Sequence, residues 1–193
     1  DNLGDWSSDV CSSDLAAWAF VESDANSGGM ELAAVLPAMV FGPALGKDIS
    51  PSMLVIKKLM DGSVPGCPNL HFVVVDVRDV ASLHLLAMIR AEAANQRFIA
   101  AGSDPASSML QFGQIIKEKR PQNAKKVPSI QIPNFVVHLL AIFDKPIRQI
   151  LPDLGKISQA SNKKARETLG WEPRRVGESV VDTADSLVKY GLV

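Results

Sequence analysis

The side chains able to move protons, attack a carbonyl or ligate a metal are few in this chain, and they are scattered. There is a single tyrosine, Tyr190, with only Gly191, Leu192 and Val193 after it. His71, His84 and His138 lie far apart and show neither HxxxH nor HExxH spacing, so they read as core or surface histidines. Cys11 and Cys67 are the two cysteines, too few for a disulfide framework or a metal cluster, a usage that fits a reducing cytoplasm. The thirteen glycines fall in neither GxGxxG nor GxxGxxG spacing, so no phosphate cradle opening a helix can be read from them. Asp76 and Asp79 stand where a β-branched run gives way to an apolar-periodic stretch. A carboxylate there can accept the otherwise unpaired amides of a helix's first turn. We read both as caps and tertiary acceptors rather than catalysts.

The elements that must position these groups follow from the apolar pattern. Residues 16–22 (AAWAFVE) have helix-forming composition and stop at the breaker cluster 23–29. Residues 31–40 (ELAAVLPAMV) form a near-continuous apolar run, expected to be a buried strand of a parallel sheet, with Pro37 ending its regular ladder. A loop through Gly42, Pro43 and Gly46 leads to an amphipathic helix at about 51–60, and HFVVV at 71–75 is a further strand. A helix led by Asp76 and Asp79 comes next, then a short strand at 97–101, a helix at 107–119 and a possible strand at 129–132. Helices at 133–143, 146–151, 162–169 and 176–190 complete the chain, the last of them stopped by Gly191. The fold class is α/β, with a parallel sheet and a mostly helical later region.

Composition bounds the partners. At 193 residues the chain suits one domain, or one and a small part, and 47% apolar with 21% charged residues is ordinary for a soluble globular protein. A formal net charge of -1 gives no electrostatic case for nucleic acid or an anionic membrane. The longest apolar run, 135–143, is too short to span a bilayer, and nothing before Ala16 resembles a signal peptide. A soluble, cytoplasmic protein acting on a small molecule is the expectation. Residues 5–15 (DWSSDVCSSDL) stand apart, because the run reads as a translated sequencing adapter. Residues 1–15 are therefore expected to be non-native, with 16–193 as the genuine portion.

Three segments of that portion carry a family likeness. LPAMVFGP at 36–43 resembles the strand end and loop that run beneath the nicotinamide in extended short-chain dehydrogenase/reductases. FVVVDVRDVA at 72–81 is similar to the strand-to-helix junction that opens their substrate-side region. NKKARETLGWEPRRVGESVVDTADSLVKYGLV at 162–193 looks like their closing unit. Within this NAD-dependent epimerase/dehydratase superfamily, the dihydroflavonol-4-reductase-like aldehyde and ketone reductases are most similar. The likeness implies the C-terminal part of a Rossmann-like parallel sheet plus a helical substrate-binding region, NAD or NADP as the parent enzyme's cofactor, with weak or no binding expected in this chain, and a small carbonyl compound as substrate.

Ligands in open parallel sheets sit outside the carboxyl ends of the strands. Leu36, Pro37, Ala38, Met39 and Val40 are thus candidates for the nicotinamide wall, through backbone bonds and apolar contact. Phe41, Arg78 and Phe135 are candidate substrate contacts. Each assignment has a plainer alternative: Gly42–Pro43 as a simple turn, Arg78 as a surface ion pair, and Trp171 as a core plug between the last two helices. Likewise the apolar segment 130–151 is either a pocket lid or packing against the sheet.

In the family, a tyrosine supplies the proton to the reduced carbonyl, and a lysine four residues on lowers its pKa. By the same alignment that YxxxK pair falls where DWSSDVCSSDL stands, and Tyr190 cannot replace it. The chain is therefore expected to be inactive. The rival readings are a nucleotide-sugar epimerase or dehydratase, with Arg78, Arg97 and Arg148 as diphosphate donors, and a non-catalytic cofactor-sensing or interaction module.

Overall fold

A computed structural model of the chain describes residues 12–193. Residues 5–11 of the adapter-like run lie outside the described residues, and Ser12–Val21 forms the first helix, α1.

The apolar run predicted as one strand is two. Ala33–Pro37 (β1) pairs in parallel with Gln96–Ala100 (β5), while Met39–Phe41 (β2) pairs in parallel with Val74–Asp76 (β4). The switch of partner occurs at Ala38, whose amide donates to Ala100 at 3.0 Å, whereas the next amide, Met39, donates to Val73 at 3.1 Å. Gly102 then donates to Val74 at 2.7 Å, so the Val73–Val74 backbone bridges the two parallel pairs.

The predicted strand at 71–75 also divides. His71–Phe72 (β3) runs antiparallel to Ser107–Ser108 (β6), and Val73 marks the break before β4. At 129–132 the strand reduces to an isolated bridge between Cys67 and Gln131.

Helices cover this sheet on two sides. On one, Pro51–Asp61 (α2) begins with the Ser50 side chain accepting the Met53 amide and ends at Gly62, whose φ of 81° suits the left-handed cap. Met109–Lys119 (α4) opens with a reciprocal capping box between Ser108 and Gln111, so Ser107 and Ser108 precede the helix instead of starting it. Val176–Lys189 (α8) completes this layer. Ile56, Leu59, Phe112, Ile116, Val180 and Leu187 meet Phe41 and Val74 in one core. The Phe41 ring stands edge-on to Phe112 at 5.3 Å, a favoured aromatic arrangement.

On the other side Val77–Ile89 (α3) and Lys163–Leu169 (α7) pack on β1, β4 and β5 through Leu83, Phe98, Ala165, Leu169 and Trp171. Trp171 is buried, as expected of a core plug, and clusters with Ala165 and Leu169 of α7, but its second partner is α3 rather than α8. An indole N–H taken out of water needs an acceptor. Trp171 Nε1 finds two, the Asp79 carbonyl at 3.0 Å and Ser82 Oγ at 3.1 Å.

The apolar helix predicted at 133–143 is shorter, Asn134–Leu140 (α5), followed by Lys145–Ile150 (α6). Only Val137 of α5 is buried, and Phe135, Leu139 and Phe143 face outward.

Candidate functional site

The carboxyl edge is stepped: β1 and β5 end together at Pro37 and Ala100, and β2 and β4 end together further along the chain at Phe41 and Asp76. That edge collects most of the residues singled out from sequence. Leu36 is 42% exposed and Pro37 is also exposed, while Ala38, Met39 and Val40 are half-buried. Leu36 and Pro37 thus present apolar surface at the end of β1. Phe41 differs from its neighbours: at 1% exposure its side chain is committed to the core against Phe112.

Gly42 closes β2 with φ +122°, a conformation that L side chains rarely adopt. A Cβ there would stand 3.0 Å from Val77 Cγ1 and 3.1 Å from each Asp76 carboxylate oxygen. The loop is held from α8. The Gly42 amide donates to Thr183 Oγ1 at 2.8 Å, and Thr183 Oγ1 lies 3.2 Å from the Gly42 carbonyl. Two residues on, the Ala44 amide donates to Ser186 Oγ at 3.0 Å.

Asp76 ends β4 and caps α3, its Oδ1 accepting the Arg78 amide at 2.9 Å. The Arg78 guanidinium folds back on the same carboxylate in a two-pronged contact, 2.8 Å on each prong, and reaches Asp182 of α8 with its Nη2. Burial alone would raise the Asp76 pKa. Hydrogen bonds from the Arg78 side chain and amide and from Ser179 outweigh it, holding the carboxyl below its ordinary value. Arg78 is raised in turn, first by its bond to Asp76 against the opposing effect of burial. One step along α3, Asp79 receives the Arg174 amide at 2.8 Å and its guanidinium at 3.0 Å. The two aspartates therefore fasten the closing unit to the sheet, as the capping assignment implies.

Other candidates stand apart from this edge. Phe135 is 74% exposed on α5. Arg97 is the second residue of β5, near that strand's amino end, with its guanidinium over the Trp18 ring at 5.3 Å. Arg148 donates to the carbonyls of Ala141 and Ile142. Two open surface clefts of about 410 and 400 Å³ fall among Trp18, Asn95, Arg97 and Lys164, and around Asn162, Arg166 and Glu172, away from residues 36–40. Among the described residues no three His, Cys, Asp or Glu side chains group as metal ligands, and no helix is long and apolar enough to cross a membrane.

Sequence reading did not find Thr183, Ser186 or Arg174. Their partners lie from 95 to 142 positions away, and no local pattern announces such a contact.

No family model matches the chain. It is 30% identical over 181 residues to the NADPH-dependent methylglyoxal reductase GRE2 of Saccharomyces cerevisiae, covering 91% of this chain and 48% of that protein. It is 28% identical over 172 residues to cinnamoyl-CoA reductase CAD2 of Medicago truncatula, covering 89% and 44%. Among solved structures it overlays the yeast methylglyoxal/isovaleraldehyde reductase Gre2 complexed with NADPH with a TM-score of 0.67 at 26% identity, over 92% of this chain and 49% of that one. The chain spans about half the length of the curated relatives it matches. The fold is the α/β architecture of Rossmann-type reductases.

Proposed function

We propose that the chain is the substrate-side portion of an NAD(P)H-dependent carbonyl reductase of the extended short-chain dehydrogenase/reductase superfamily, acting on an aldehyde, ketone or dihydroflavonol-like compound. The observation that carries the reading is the exposed apolar strand end at Leu36 and Pro37, set at the carboxyl edge of parallel strands and continuing into a glycine loop fixed from below. Ligands of open α/β sheets occupy that position. The similarity to reductases that use NADPH points to the same cofactor.

The residues present suit one end of such a cofactor. Residues 36–40 offer apolar contact to a nicotinamide ring, while the Ala38 and Met39 amides are already paired with Ala100 and Val73. No Gly-rich turn among the described residues suits the pyrophosphate. When bound, the cofactor supplies a hydride. This chain's own part is to seat the ring and keep water from one face of it. Arg78 contributes through Asp76 and Asp182 rather than as a free cation, so its role is to fix the junction beside the site. The greasy face of α5, with Phe135 outermost, is suited to line an apolar substrate, and it is equally suited to pack against further protein.

With no YxxxK pair in its sequence, this chain has no acid to complete reduction and is proposed to be inactive by itself. The epimerase or dehydratase reading is weaker, since Arg78, Arg97 and Arg148 are engaged at three separate places rather than converging on a diphosphate.

The test is the genomic sequence upstream of the codon for Ala16. Codons for GxxGxxG and YxxxK in frame support the reductase. An uninterrupted gene with a native start near Asp1 would overturn it in favour of a non-catalytic module.

A further inference from the structure

We propose that Thr183 and Ser186 of the final helix are positioning residues for the nicotinamide site, so that the C-terminal helix forms part of that site without touching the ligand. The proposal rests on residues 36–40 being the nicotinamide wall.

The argument starts from Gly42. Glycine populates many backbone conformations at similar cost, so a glycine at φ +122° does not hold itself there. Something outside the loop must choose the conformation. One side chain does: Thr183 Oγ1 accepts the Gly42 amide and lies within bonding distance of the Gly42 carbonyl, sharing its single proton between that carbonyl and Ser179. Thr183 is wholly buried, so no water competes for these bonds. Ser186, one turn on and also buried, takes the Ala44 amide. Two consecutive hydroxyl positions on one helix face thus grip two amides of the same loop.

The grip matters upstream because β2 is only three residues long. Its start is fixed where Met39 donates to Val73, and its end is fixed at Gly42. Releasing that end leaves the ladder to Val74–Asp76 as the hold on Met39–Phe41 and frees the Gly42 turn that follows them. The direction of this strand end toward a bound ring would then be less sharply set, even with the core intact. Thr183→Val keeps the shape and burial of the side chain and removes the hydroxyl. Thr183→Ser keeps the hydroxyl and removes a methyl group.

The experiment is a titration of the 193-residue protein with reduced nicotinamide mononucleotide, which carries the ring without the adenosine half, followed by amide resonances and alongside a thermal melt. The expected result has three parts. Amides of residues 36–40 shift in the unaltered protein and in Thr183→Ser. In Thr183→Val the apparent affinity falls roughly fivefold, the size set by one buried hydrogen bond. Residues 96–100 remain as they were.

Ser186→Ala, which drops the Ala44 bond alone, gives a smaller loss with the same pattern and serves where Thr183→Val does not fold. Equal titrations in Thr183→Val, Ser186→Ala and the unaltered protein would overturn the positioning role and leave the nicotinamide reading standing. No response at 36–40 in the unaltered protein would overturn that reading itself, and the positioning role with it.

Discussion

Asp79 and Arg174, 95 residues apart in sequence, meet twice: Oδ2 accepts the Arg174 amide at 2.8 Å and Oδ1 faces its guanidinium at 3.0 Å. The same aspartate's carbonyl accepts the Trp171 indole. One residue in the first turn of α3 therefore ties down the turn between α7 and α8. Asp79 is 4% exposed, so its loss is not repaired by solvent. Asp79→Ala should cost about 3 kcal/mol, the usual penalty for removing one partner of a buried charged contact. Glu118→Ala, at an exposed pair with Lys119, should change stability little. Urea denaturation of the two variants checks both values.

Asp76 makes stability depend on acid. Its folded pKa is held below its ordinary value by Arg78 and Ser179 against the effect of burial. A depressed carboxylate stabilises the fold above its unfolded pKa, roughly 4, and that contribution is lost as pH falls through the lower folded value. Asp76→Asn should therefore be less stable than the unaltered protein by about 2–3 kcal/mol at neutral pH. The gap should close progressively below pH ~4, where the protonated acid resembles the amide. Denaturation curves at neutral pH and near pH 3 measure it, and a gap that is constant with pH would contradict the argument.

Gly42→Ala combines a forbidden backbone conformation with a close approach to Val77 and to a carboxylate that Arg78 already holds. Strain of this kind costs about 1–3 kcal/mol. The melting temperature should fall by about 3–10 °C for a chain of this size, and calorimetry is the check.

Much of this frame was legible in sequence because helix ends and apolar periods are local signals. Asp76 as a cap, Gly191 as a stop and the helix at 176–190 follow from residues within a few positions of each other. Pro37 marked the end of the first ladder, but the change of partner at Ala38 and the break at Val73 were not legible. A continuous apolar run looks the same whether its strand keeps one partner or changes partners midway, and the change is set by residues 96–102. The candidate wall at 36–40 was found through its resemblance to a strand end. Thr183 was passed over because a threonine within an amphipathic helix carries no mark of the glycine it holds 141 positions away.

The edge of β1 bears on behaviour in solution. Among the described residues β1 pairs only with β5, leaving its other backbone edge without a neighbouring strand, and Leu36 is exposed at its end. Open, apolar edges associate with other chains. Sedimentation should show self-association that grows with concentration, and melting should broaden or shift with it. A sharp transition of a monomer, independent of concentration, would contradict this expectation.

The most direct test of the central claim is a cofactor-oxidation assay on the 193-residue protein, purified free of host reductases, with NADPH and a simple aldehyde. On the proposal that residues 36–40 seat the ring and that a sequence without YxxxK supplies no acid to the carbonyl oxygen, NADPH should be consumed no faster than in buffer. Steady, enzyme-dependent oxidation with formation of the alcohol would contradict the account.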